Sequence, residues 1–417
     1  MPIIEKVIAQ HAEEAAFLWL LRDAACREPH YRLKDLAKLD DRVEAHLDGL
    51  RIAGEEGLEV CKGVWAMEDA GEVFAASELA FEGSDPERIA SVLGVAASAP
   101  ELSRGAVSAL GWLPWEQASA HVATLLGAGD AGLRRIGLGA SVAHRRDPGD
   151  ALVRALADGD LLLRARALRA VGELGRSDLL PDVRREVMAE DEGCRFAAAW
   201  SGALFGDLTA VAILKSFAGS PAFGERAVGL AVRRMPLEVA HRWLQDLLPS
   251  REHVRVALSG IGALGDPGSV PLLIELLPIP ELARLAGEAF STIAGADIAY
   301  EDLDGERPEG FEAGPTENPE DDDVAMDPDE NLPWPDAGKI GLWWERNKGR
   351  FPRGTRHLLG RPVAEDGLQW VLRNGYQRQR AAAALELALR HPVQPLFETR
   401  APGLRQKALL DPASVKH

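Results

Sequence analysis

The chain has 417 residues, 46% of them apolar and only 6% aromatic, with a formal net charge of −18. This composition suits a folded, helix-rich protein and excludes a disordered one. Three well-separated cysteines (Cys26, Cys61, Cys194) exclude a disulfide framework or a cysteine zinc site, and no apolar run reaches the ~18 residues of a membrane span.

In chain order, Ile3 to Cys26 reads as one helix, with Ile4, Val7, Ile8, His11, Ala15, Leu18 and Leu21 on a broad apolar face. Its opening, MPIIEKVIAQHAEEAAF, carries charges where a signal peptide needs a continuous apolar stretch, so a cytoplasmic protein without membrane insertion is expected. A second helix spans Leu33 to Ile52 and should end at Gly54.

From Ala106 onward one motif of small and apolar residues recurs, anchored at Ala106, Gly137, Ala167, Ala197, Ala227, Ala257 and Ala286. A weaker copy stands at Ala75 or Ala76, and AAAALELAL after Arg380 resembles another. About ten residues past each anchor comes a breaker such as Pro114, Asp147-Pro148, Asp207, Pro236 or Asp266-Pro267. An amphipathic run follows, as in Leu208–Phe217, Leu237–Leu248 and Val270–Leu277. Each copy is therefore a pair of short helices whose small residues let neighbouring helices approach closely. Because one pair cannot bury its own apolar face, the pairs must stack. The expected fold is all-α, an α-solenoid of roughly 30-residue helix pairs.

Asp297 to Asp336 holds sixteen acidic residues and one basic residue, Arg307, leaving 46 basic and 49 acidic side chains elsewhere. Rich in Pro and Gly, this stretch reads as a flexible acidic linker. Directly after it, Lys339 to Arg361 sets seven basic residues against the single acid Glu345. A helix is expected over Glu365–Arg390, packed back on the end of the array. The expected organisation is a helical cap over 1–72, the repeat array over 73–296, the acidic linker over 297–336 and an aromatic and basic C-terminal segment over 337–417.

Chemical motifs are few. Gly260-Ile-Gly262-Ala-Leu-Gly265 matches the dinucleotide fingerprint in letters, but it closes a helix where the fingerprint must open one. His11 with Glu14 has i, i+3 spacing without a second such pair, so no metal and no cofactor are expected. Acidic pairs such as Asp40-Asp41 are expected to be solvated, and an enzyme is not expected. Arg stands two residues before five of the seven anchors, at Arg104, Arg135, Arg195, Arg255 and Arg284. The reading favoured is pairing with turn acids such as Asp130, Asp160 or Glu190; an anion-binding stripe for nucleic acid is disfavoured by the charge balance. The best contact surface is the C-terminal patch of Trp343, Trp344, Arg346, Arg350, Phe351, Arg353 and Arg356, because Trp and Arg are enriched at protein interfaces.

Two resemblances rest on these residues. The segment VRVALSGIGALGDPGSVPLLIELL, Val254–Leu277, resembles HEAT-like repeats of the phycobilin-lyase type. Leu36–Gly54, Trp343–Pro362 and Gly375–Leu387 resemble a bacterial family of HEAT-like proteins often encoded among type VI secretion genes. The resemblance implies a non-catalytic scaffold or adaptor for a protein partner, a secretion spike or effector component among them. The alternative, by analogy with bilin lyases, is a lyase- or isomerase-like enzyme.

Overall fold

The computed structural model describes residues 5–314 and 325–411, with 21 α-helices and one two-stranded hairpin among them. The all-α helical-repeat architecture expected from the small-residue rhythm is the one observed. No described helix is long and apolar enough to cross a membrane. The chain divides into two compact units, Met1–Phe205 with His391–His417, and Gly206–Arg390.

The first unit opens with the antiparallel pair α1 (Glu5–Ala25) and α2 (Leu33–Val64). The helix expected to stop at Gly54 breaks there, with φ 59° and ψ −148°, then resumes for another ten residues. Helices α3 (Ala70–Gly83), α4 (Pro86–Ser98), α5 (Pro100–Trp112), α6 (Trp115–Leu126), α7 (Ala131–Ala143), α8 (Asp150–Leu156), α9 (Leu161–Glu173), α10 (Leu180–Glu186) and α11 (Glu192–Leu204) follow. Odd-numbered helices from α3 to α11 stack in series, and each even-numbered helix packs mainly on the odd helix after it. Ala106, Gly137, Ala167 and Ala197 are buried at these contacts. Asp130, Asp160 and Asp191 cap the free amides of α7, α9 and α11, and among the breakers Asp207 caps α12 in the same way.

The second unit continues the pattern in α12 (Leu208–Ser216), α13 (Gly224–Arg234), α14 (Leu237–Leu247), α15 (Val254–Leu264), α16 (Val270–Leu276) and α17 (Pro280–Ala294). Ala227, Ala257 and Ala286 are fully buried. The glycines of the fingerprint look-alike serve packing: a Cβ on Gly260 would strike Leu244 and Val228, while Gly265 ends α15 in the left-handed conformation. After α17 come α18 (Ala337–Asn347), the hairpin of β1 (His357–Leu358) and β2 (Arg361–Pro362), α19 (Glu365–Asn374) and α20 (Gln377–Arg390). The single helix expected over Glu365–Arg390 is two, because Gly375 leaves the helical path and Tyr376 turns away to bond Asp297 with its hydroxyl at 2.8 Å.

The acidic stretch is not a free linker in its described parts. Ile298, Leu303 and Leu332 are buried, Gly305 N–H donates to the Trp334 carbonyl at 2.8 Å, and Asp336 N–H donates to Leu303 at 2.9 Å. Arg284 holds the far arm, donating to the Asp329 carbonyl at 2.9 Å and to Asp327 Oδ2 at 2.6 Å, with its guanidinium 4.4 Å from the Trp334 ring. Arg255 reaches Asp329 at 2.7 Å. Four apolar or aromatic side chains and two arginines thus offset the ordering cost that composition alone left uncovered. The acids from Glu317 to Asp323 lie outside the described residues.

Beyond α20 the chain returns to the first unit, where α21 (Gly403–Leu410) packs on α2.

Candidate functional site

The aromatic and basic patch separates into two layers within the second unit. Trp344 and Phe351 are each only 7% exposed, lie tilted against each other with ring centroids 5.2 Å apart and belong to the unit's apolar core with Phe290 and Ile340. Trp343 is half-buried, edge-on to Phe290 at 5.5 Å, and its indole N–H donates to Glu301 at 2.9 Å. Burying these rings drives α18 onto α16 and fixes which way its polar face looks. That face exposes Leu342 and Arg346, and the turn after the helix exposes Arg350 and Arg353. Neither Arg346 nor Arg353 has an acidic partner among the described residues, and Arg350 bonds only Asn347 at 3.1 Å.

Arg356 does not join that surface. Its guanidinium donates to the carbonyl of Leu264 at 2.7 Å and pairs with Glu386, which also takes Arg233 at 3.1 Å. It begins a strap laid across the C-terminal ends of α15 and α17. His357 N–H donates to Gly265 O at 2.7 Å, Leu359 N–H to Thr292 O at 2.7 Å and Gly360 N–H to Ile293 O at 3.0 Å. These bonds satisfy carbonyls that a helix end otherwise leaves without partners.

The first unit has a strap of the same kind. Leu396 N–H donates to Glu173 O at 2.9 Å at the end of α9, and Arg145 bonds the Leu396 carbonyl and pairs with Glu398. Arg405 donates to the carbonyls of Gly111, Trp112 and Leu113 at the end of α5, at 2.7, 3.1 and 3.0 Å. Arg22 donates to the carbonyls of Arg400 and Ala401 while pairing with buried Asp40 at 2.9 Å. Asp40, expected as a solvated surface acid, is therefore internal, and Gly403 N–H also bonds it.

Two of the turn acids expected as arginine partners, Asp130 and Asp160, are engaged elsewhere as caps, and Arg135 donates to Ser103 Oγ at 3.0 Å. Arg195 at the repeat position, and Arg134 and Arg164 one residue before it in their own repeats, bind turn carbonyls at Ala189, Ala128 and Asp158.

Two side-chain groups escape a reading of the sequence because their members lie far apart in it. His241 Nε2 stands 2.7 Å from Asp266 Oδ2 and 3.3 Å from Ser269 Oγ. An acyl-transfer triad needs the acid on one ring nitrogen and the nucleophile on the other. Here both contact the same nitrogen, Ser269 is 2% exposed, and Asp266 also accepts from Gly268 N–H. The group caps the short 3-10 turn Pro267–Ser269 that leads into α16. The second is the pair His11 and His46, with Nδ1 atoms 3.1 Å apart between α1 and α2. Burial and the facing ring hold His46 below the ordinary histidine value. The i, i+3 spacing of His11 and Glu14 reads as a solvated helix face and gives no sign of His46.

A cavity of about 310 Å³ lies among α6 to α9, lined by Leu126, Leu138, Leu163, Arg134, Arg154 and Asp158. Two carboxyls stand out in the first unit, half-buried Glu173 and fully buried Glu78. Glu173 is met by Arg166 at 2.8 Å and Arg169 at 3.2 Å. Glu78 is 1% exposed, and its Oε2 has no hydrogen-bond partner among the described residues. No family model matches the chain, and no curated protein matches it.

Proposed function

We propose that the chain is a non-catalytic protein-binding scaffold whose contact surface includes the exposed edge of α18 and the turn after it. The observation that carries this reading is the layering of Trp343–Arg353. The rings are spent on the core, so Arg346 on α18 and Arg350 and Arg353 in the turn after it are presented beside exposed Leu342, none of the three with an acidic partner among the described residues. Arginines presented this way, at little entropic cost, suit an acidic surface on a folded partner. The family resemblance nominates a secretion spike or effector component as that partner.

The test is capture from the native host with the tagged full chain, followed by mass spectrometry and a direct affinity measurement. The Arg346→Glu/Arg350→Glu/Arg353→Glu variant should keep its helical spectrum and melting temperature while losing about tenfold or more in affinity, equivalent to ~1.4 kcal/mol. The wild-type interaction should also weaken as salt is raised. Full binding by the triple variant would remove the surface from the proposal. Trp344→Ala is no test of it, since emptying a buried Trp site costs ~3–5 kcal/mol through the core.

A further inference from the structure

We propose that His11 and His46 form a two-imidazole site for a divalent transition-metal ion of the Zn2+ or Ni2+ type, bridging α1 and α2. The argument is geometric. A tetrahedral ion with Zn–N bonds of about 2.0–2.1 Å holds its ligand atoms about 3.3 Å apart. The two Nδ1 atoms already stand 3.1 Å apart, on rings inclined at 64°, so capture needs little more than a side-chain adjustment.

The close approach is built into the backbone. A Cβ at Gly49 would come within 2.8 Å of three atoms of the His11 ring, so a larger residue there would push that ring from its present place. Both rings are half-buried, which gives them fixed positions and an open side for the ion and its waters. Glu14, on α1 one turn beyond His11, and Arg42 on α2 act on His46 with opposite charges. In the empty pair one Nδ1 carries the shared proton. On binding, that ring takes the Nε2–H tautomer by exchange with water, both Nδ1 lone pairs go to the ion, and no net proton is released. No third His, Cys, Asp or Glu completes a ligand group among the described residues. Water therefore fills the other positions, and affinity is well below that of a closed four-ligand zinc site.

The full-length, tag-free chain is titrated with ZnCl2 and with NiCl2 by calorimetry. One ion per chain is expected. His11→Ala and His46→Ala should each weaken it at least tenfold. Gly49→Ala, which keeps both imidazoles but displaces one, should do the same with the helical spectrum retained. His253→Ala, which removes a histidine bonded to Ser250 elsewhere in the chain, should leave it unchanged. The site is overturned if the wild-type chain takes up no ion, if either alanine variant at the pair binds as the wild type does, or if His253→Ala is equally affected.

Discussion

Two glutamates of the first unit, half-buried Glu173 and buried Glu78, show how the same side chain meets opposite fates. Burial alone would raise Glu173, but the guanidiniums of Arg166, Arg169 and Arg145 override it and hold the carboxyl at about 2. Burial also raises Glu78, and there the neighbouring carboxylates Glu82 and Glu44 add to it, against weaker help from Arg51 and Arg405. The signs of the pH dependence therefore differ. Glu173 contributes stability that is complete above its ordinary value of 4.5 and is lost as pH falls toward about 2. Glu78 keeps its proton in the native state above the pH at which the unfolded chain releases it. Its effect is to lower native stability as pH rises from 4.5 through the raised value. Glu173→Gln should thus cost about 1–3 kcal/mol at pH 7, with the loss shrinking below pH ~4. Glu78→Gln should match the wild type near pH 4 and exceed it by ~1–3 kcal/mol at pH 8. Urea unfolding across pH checks both, and the same direction for both variants would refute the contrast. Neither fate was legible in the sequence, since Arg145, in the turn after α7, and Glu44, on α2, come from segments remote in the chain.

At the scale of elements, the helix pairs were legible because their cause is local. Small residues at Ala106, Ala167 or Ala257 are needed wherever odd helices touch, and Asp130 or Asp160 is needed wherever one starts. The straps were not legible, because an extended segment bonding helix ends through its backbone leaves no side-chain pattern. Arg255 and Arg284 misled for a related reason: their partners sit in the acidic stretch and not in the repeat turns. The same holds for the patch, where the composition of Trp343–Arg356 gave no sign of which rings turn inward. Gly265 is the junction between the legible part and the rest. It sits at φ 72°, and a Cβ there would come 2.3 Å from the His357 carbonyl oxygen. Gly265→Ala should therefore both strain the backbone, at about 1–3 kcal/mol, and push the strap from the end of α15. Gly63→Ala meets nothing within 4 Å and should gain up to ~1 kcal/mol through helix propensity. Chemical denaturation of the two variants decides it; equal effects would mean that the strap contact carries no stability.

At the scale of the whole molecule, each unit takes its strap from the last quarter of the chain. The second unit uses the hairpin and α20; the first uses the segment after Arg390 that ends in α21. A chain ending at Arg390 should therefore injure one unit and spare the other. It would lose the Arg400 pair with Asp23, the Arg405 bonds to the end of α5 and the Leu396 bond to α9, and it would leave Arg22 and Asp40 with fewer partners. Several of these are charge-assisted bonds of ~1.5–3 kcal/mol each, so a net loss of about 5 kcal/mol is expected, or roughly 10–20 °C for a body of this size. Hydrogen exchange should accelerate at the C-terminal ends of α5, α7 and α9 while α13, α15 and α17 keep their protection. The exposed arginines of α18 belong to the spared unit, so the truncated chain should still bind the partner below the lowered melting temperature. Uniform loss of protection would refute the division of the straps, whereas lost binding with the second unit still protected would place the interface outside α18.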